Sequence, residues 1–512
     1  NLTGAANLLT TCTYDIVYEY DSTSNVYGKS PTTKNGNKEI TLQVSNVNGT
    51  NNFANEKNFD YDSSWSGLKR TLVSGATIES NGTLTTQNIS ITGKYYNLTI
   101  PQTSIEGKAF TGKIYVTNHS CSTSEIPPAY ITLLKAYGGK GSITELPDSA
   151  FESVTTARDK GMYKAQDDLG TSYYYRGAVD NNWVKFGKYS SDYIRYKGYY
   201  STTSTLFKTY DSMNDCTSAT YYNVNCEAVK EASKGDDIYW RIIRINGDGS
   251  IRMIYTGTTT PTESTKVVMT GTGTQIGNSA LNSSYNKAEY VGYQYIEGQQ
   301  HGFGKCDGTN NASCTVNGNT LYNSKIKQTI DKWYAGTTLK DNDLIADQIF
   351  CNDRSTSTSD VTYSNTNYTT LTSWNSTGTR YYYGAYGRLN KSNSPILTCP
   401  TESDKFTVNT SNGNGALTYP VGLITADEVA MAGGKFNSSN RSYYLHTKKD
   451  YWLGSPCDFS SDGLAIEFAV GSSGFLAGNS VDYAYGARPV VSLSSKAKLS
   501  GNGTYSKPYT VS

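Results

Sequence analysis

The chain has 512 residues and a net charge of +1, with 36% hydrophobic and 17% charged residues. Near-neutrality excludes a basic nucleic-acid binder, and no run of about 18 apolar residues is present to cross a membrane as a helix. Asn, Ser, Thr, Gly and Tyr fill the gap, with 44 Tyr and 48 Gly, a mixture suited to short strands, polar turns and an extracellular contact surface.

The chain begins at Asn1 rather than Met. A signal peptide or anchoring helix is expected upstream of it, and any membrane or cell-wall anchor is expected in a segment outside this sequence. The opening Asn1–Thr11 is short and mildly apolar. It reads either as the stub of a helix or as a strand donated to a neighbouring subunit.

Residues 1–122 read as a β-sandwich that serves as stalk or assembly domain. Tyr14–Tyr20, Lys38–Ser45, Arg70–Ile78, Leu84–Leu98 and Gly112–Asn118 are rich in β-branched and aromatic residues. Asn-Gly pairs at Asn48-Gly49 and Asn81-Gly82 punctuate them, as regularly spaced strands of a sandwich require. Residues 123–170 read as a linker, marked by Pro127-Pro128 and Gly138-Gly139, with one short helix or strand inside it.

Residues 171–512 read as an α+β domain with long loops. Arg241–Tyr255 holds the strongest hairpin signal, two apolar runs around Asn246-Gly247-Asp248-Gly249. In Asn323–Gly336, Ile326, Ile330 and Trp333 recur at helical spacing, so this stretch is a helix with one buried face. Thr425 and Glu428 form a capping box that opens a short helix ended by Gly433-Gly434. The fold class is mostly β with minor α.

Nine cysteines are present. Nearest-bracket pairing joins Cys12 to Cys121, Cys216 to Cys226, Cys306 to Cys314 and Cys351 to Cys399, and leaves Cys457. The absence of Cys-x-x-Cys and the wide separation of His119, His301 and His446 argue against zinc. Four disulfides point to an oxidising, extracellular setting. Cys457 stays open between a buried thiol, an alternative disulfide partner and a residue of an exposed face.

The blocks Tyr173–Gly187, Trp240–Gly257, Asn412–Gly434, Tyr451–Pro456 and Ala487–Ser512 together resemble a family of secreted or surface proteins of Gram-positive gut bacteria. The resemblance implies a C-type-lectin-like domain related to the formylglycine-generating group. Lys94–Asn118 resembles the last strands of surface domains of the camelysin and biofilm-fibre type. The lectin-like fold also hosts targets of diversity-generating retroelements, which rewrite adenine-containing codons near the C-terminus. That resemblance implies a display face within residues 452–490.

Alternation in Leu464–Val470 places Ile466, Phe468 and Val470 toward the core, and Ala465, Glu467 and Ala469 on an exposed face. Glu467 departs from the codon palette of such retroelements and is set aside. Leu476, Val481, Tyr483 and Tyr485 read as core or framework. The expected ligand-binding set is Cys457, Asp458, Phe459, Ala465, Ala469, Phe475, Ala477, Asn479, Asp482 and Ala484. Its ligand is a protein or a glycan.

Three functions follow from these readings. The first is an adhesin-like extracellular binding protein. The second is a fibre or pilus subunit that self-assembles through its N-terminal region by strand addition. The third, an enzyme of the formylglycine-generating type, needs a reactive cysteine pair, and Cys457 has no evident partner. No Ser-His-Asp order, phosphate loop or paired-carboxylate motif stands out, so no catalytic residue is assigned. Acidic turns such as Ile245–Ser250 could hold calcium, although a hairpin turn explains them without an ion.

Overall fold

The computed structural model describes residues 2–3, 8–21, 40–59, 65–80, 84–96, 111–125, 128–155, 159–306, 312–357, 381–460 and 462–512. The protein is mostly β with minor α and divides into two compact units, Asn1–Pro127 and Pro128–Ser512. Parts of three expected strand blocks, residues 38–39, 97–98 and 97–110, lie outside the described residues.

The first unit contains β1 (Leu8–Tyr20), β2 (Ile40–Ser45), β3 (Lys69–Ser80), β4 (Ser90–Tyr95) and β5 (Gly112–Glu125). One antiparallel sheet runs β5–β1–β3, and a second pairs β2 with β4. Alternate residues Tyr14, Ile16, Tyr18 and Tyr20 of β1 are buried, in one cluster with Leu42 and Val44 of β2. Two sheets thus share one core, as a sandwich requires. Register places Cys12 opposite Cys121, and the two form a disulfide. Leu8–Thr11 is no helix stub: it opens β1 and pairs with β5, and Thr10 and Thr11 pair with β3 as well.

The second unit begins with α1 (Ala129–Lys135). Ala129, Leu133 and Leu134 are buried in the main core of this unit. The segment expected as a linker over 123–170 is therefore largely a packed part of the second unit. Its apolar helical face gains more from burial than a free connector could.

A large sheet follows, built from β6 (Gly161–Asp167), β7 (Gly170–Arg176) and β8 (Trp183–Lys188). A three-stranded subsheet comes next in sequence: β9 (Tyr193–Tyr199), β10 (Phe207–Tyr210), α2 (Met213–Thr217) and β11 (Asn225–Ala232). The chain then returns to the large sheet with β12 (Asp237–Ile245) and β13 (Ile251–Gly257), the expected hairpin. Asp248 is consumed by its turn. Its Oδ1 accepts from the Ser250 backbone N–H at 2.9 Å and hydroxyl at 2.6 Å, and its Oδ2 accepts from Gln348 at 2.7 Å.

The strand β14 (Asn278–Ser279) precedes α3 (Lys325–Ala335). Ile326, Ile330 and Trp333 are fully buried on the expected face, and Ser324 caps the helix by accepting from the Lys327 N–H. The helix α4 (Ala426–Ala432) opens on the Thr425/Glu428 capping box and ends at Gly433, whose φ of 123° suits glycine. A second sheet then forms from β15 (Tyr451–Phe459), β16 (Ala465–Val470), β17 (Leu476–Ser480) and β18 (Tyr485–Gly486). β18 pairs with β14 and β15. The closing strand β19 (Val490–Leu493), just after Pro489, pairs with β13. All four expected disulfides are present.

Candidate functional site

The expected display face divides in two. Cys457, Asp458, Phe459, Ala465 and Ala469 are buried, and Cys457 is only 1% exposed. They form no outward face. The strand β16 lies between β15 and β17, and both of its sides are covered. Phe468 meets the Phe436 ring at 5.8 Å. Glu467, on the opposite side of the strand, is 0% exposed. Ala465 and Ala469 share that side of the strand and are covered with it, so they do not face water. Ile466 packs against the core as expected but is only partly buried. Tyr483, read as core or framework, is 51% exposed.

Phe475, Ala477, Asn479, Asp482 and Ala484 are partly exposed. Two of them, Asp482 and Ala484, line a groove of about 510 Å³. That size falls within the range of small-ligand sites, about 300–1,000 Å³. Another part of the lining comes from β10, α2 and the loop after it, residues 208–222, which belong to the β9–β10–β11 subsheet region.

This region is built by covalent and polar ties. Cys216 of α2 is bonded to Cys226 of β11, which shortens the path of the intervening loop. Gly198 of β9 lets that loop come down on the sheet: a Cβ there would lie 2.0 Å from the Tyr222 carbonyl oxygen. The loop carries Tyr221, 71% exposed, and Tyr222 into the groove. Lys208 of β10 sits 5.3 Å from the Tyr222 ring centre.

A buried arginine joins this region to the groove floor. Arg195 of β9 donates to the Asn278 carbonyl at 2.6 Å and pairs with Asp211 at 3.0 Å. Burial opposes its charge, and Asp211 outweighs that cost, so the guanidinium is held above its ordinary value. Thr329 of α3 donates to Asp211 at 2.7 Å, and Lys325 pairs with Asp215 at 3.1 Å. On the far side, β14 pairs with β18 and so brings the 482–484 turn to the floor. Ser480 donates to Asp482 at 2.6 Å. Burial raises the Tyr210 phenol at the groove, which keeps it a neutral hydroxyl.

A second cavity, lined by Arg244, Arg252, Arg388 and Glu428 among others, holds only about 30 Å³. Its charges satisfy one another. Glu428 meets Arg244 at 2.9 Å and Arg252 at 2.7 Å, and Arg388 meets Asp427 at 2.9 Å and Asp353 at 2.8 Å. Burial disfavours the Glu428 charge, but Arg252 and Arg244 hold its carboxyl below the usual range. This network braces α4 against β12 and β13.

Neither histidine of the second unit lines the groove. His301 meets Asp404 at 3.1 Å, and His446 is tied to the carbonyls of Arg441 and Ser472. No group of three or more His, Cys, Asp or Glu placed to hold a metal occurs among the described residues. No helix among them is long and apolar enough to cross a membrane.

The sequence signal for the groove was faint. The pair Cys216/Cys226 marks a tied loop, and the adjacent tyrosines Tyr221 and Tyr222 lie within it. Neither shows that four distant segments converge. Comparison with family models, curated proteins and solved structures finds no match to this chain.

Proposed function

We propose that this chain is an extracellular binding protein of adhesin type, with its ligand held in the groove lined by the 208–222 segment and the 482–484 turn. The single observation that carries this reading is the groove itself: Tyr221 and Tyr222, on a disulfide-tied loop, line it together with Asp482, around a space of about 510 Å³. Exposed tyrosines offer rigid contact area with a polar tip, at low entropic cost. The four disulfides are compatible with an extracellular setting. The resemblance to a C-type-lectin-like scaffold and to retroelement targets belongs to this proposal. Within it, diversification attaches to Phe475, Ala477, Asn479, Asp482 and Ala484, the expected residues with access to solvent.

The test is a binding screen. Wild-type protein and the Tyr221→Ala/Asp482→Ala double variant are applied to an array of glycans and extracellular-matrix proteins. At least one array member binds wild type and loses the variant. Equal binding by both, or none above a denatured control, overturns the assignment.

A second reading, fibre assembly, draws on one observation. Among the described strands β5 lies at the edge of its sheet. Its Ile114 and Val116 pair with the buried Tyr18 and Ile16, yet are 45% and 54% exposed. An uncovered apolar edge is a template for strand addition by a second copy. Electron microscopy of purified protein is expected to show fibres that the Ile114→Lys/Val116→Lys variant lacks. Monomers in both samples remove this reading.

A further inference from the structure

We infer that the groove binds an uncharged oligosaccharide through the ring face of Tyr221. This rests on the groove being the ligand site, and it names the ligand's chemistry.

The lining is the first argument. It contains no Leu, Ile, Val, Met or Phe; its side chains are Tyr, Ser, Thr, Ala, Lys and Asp. A peptide ligand is commonly anchored by an aromatic or aliphatic side chain in an apolar pocket, and this lining has no aliphatic side chain larger than alanine. A sugar ring needs the opposite arrangement. One face of a pyranose carries C–H groups, which rest on the negative face of an aromatic ring, while its rim of hydroxyls both donates and accepts. Tyr221 supplies an open ring face. Short hydroxyls at Ser218, Thr220, Ser279 and Ser283 line the same groove and exchange donor and acceptor roles freely.

Charge is the second argument. Two lysines, Lys208 and Lys325, and two aspartates, Asp215 and Asp482, line the groove, and they cancel. Lys325 is already paired with Asp215, and Lys208 lies against the Tyr222 ring. The net charge of the lining is zero, which favours an uncharged ligand over a sialic acid, a phosphate or a sulfate. Asp482 keeps acceptor capacity, since one of its oxygens takes the Ser480 hydroxyl. A carboxylate is acceptor-only when ionised, and it binds a sugar hydroxyl by a charge-assisted hydrogen bond.

Size is the third. A groove of about 510 Å³, open to solvent, takes a short segment of a chain rather than one enclosed ring.

The experiment is saturation-transfer NMR on the full chain with named probes: cellotetraose, mannotetraose and chitotetraose as neutral sugars, sialyllactose as an anionic one, and a gelatin hydrolysate as peptide. Each is measured with wild type, Tyr221→Ala and Asp482→Asn. Tyr221 is on the surface, so its variant folds, and circular dichroism checks this. The expected result is saturation of pyranose C–H protons of at least one neutral sugar. Affinity then falls at least tenfold in Tyr221→Ala and several-fold in Asp482→Asn, and EDTA leaves it unchanged. Stronger binding of sialyllactose, or neutral-sugar signals indifferent to Tyr221, overturns the inference. Peptide binding lost in Tyr221→Ala, with no sugar bound, overturns it and leaves the groove as a protein-binding site. Silence from every probe overturns the inference, and the wider array then decides the groove assignment separately.

Discussion

Gly198 and Tyr222 touch through their backbones: a Cβ on Gly198 would sit 2.0 Å from the Tyr222 carbonyl oxygen and 2.8 Å from the Cys216 sulfur. Any side chain at 198 must push the 217–225 loop away from the sheet. Gly198→Val is therefore expected to abolish groove binding while the large sheet and α3 remain folded. Near-wild-type far-UV circular dichroism with at least tenfold weaker ligand binding is the outcome that checks this.

The disulfide Cys216–Cys226 acts on the same loop from its ends. Cys216→Ser/Cys226→Ser is expected to cost about 2–3 kcal/mol of loop order, the entropy of closing a short ring. Hydrogen exchange should rise over 213–226 and stay unchanged in β12 and β13. Uniform exchange changes across the unit contradict this local role.

Arg195 and Asp211 form an ion pair in which the arginine is buried, at 3.0 Å. Arg195→Met leaves Asp211 without its cation and the Asn278 carbonyl without its donor. Loss of one partner from such a pair typically costs about 3–5 kcal/mol. A fall in the unfolding free energy of that size is expected from urea melts, and a change below about 1 kcal/mol contradicts it.

Glu467 is fully buried, and neither of its carboxylate oxygens has a hydrogen-bond partner among the described residues. Burial pushes its carboxyl well above the ordinary 4.5, with Arg354 opposing. The fold keeps a proton that the unfolded chain loses near 4.5, so stability is full below that pH and drains as pH rises toward the folded value. Glu467→Gln removes this decline. Urea melts at pH 4.5 and 8.5 should show a smaller pH-dependent loss in the variant, the wild type losing up to about 1.4 kcal/mol per pH unit from this group. Parallel curves contradict the assignment.

Natural copies of this chain test the display reading. Substitutions are expected at Phe475, Ala477, Asn479, Asp482 and Ala484, and not at Cys457, Phe459, Ala465 or Ala469, where added volume meets a full core. Sequencing of related isolates gives the answer, and variation centred on the buried set contradicts the burial argument.

By itself, the sequence determined what short-range chemistry decides. The spacing of Ile326, Ile330 and Trp333, the Thr425/Glu428 box, the turn after Ile245 and the four bracketed cysteine pairs all correspond to observed elements. Each depends on residues close in sequence or on one covalent choice. Only the tertiary structure decided which side of β16 is wet. Alternation in Leu464–Val470 separates two faces, but whether the second is covered depends on chain packed against it from far away. Arg354, whose charge acts on Glu467, is more than 100 residues distant in sequence. The groove is likewise a product of tertiary structure. Tyr221, Ser279, Lys325 and Asp482 carry no common pattern, and they meet because Arg195 and the pairing of β14 with β18 hold their segments at one surface.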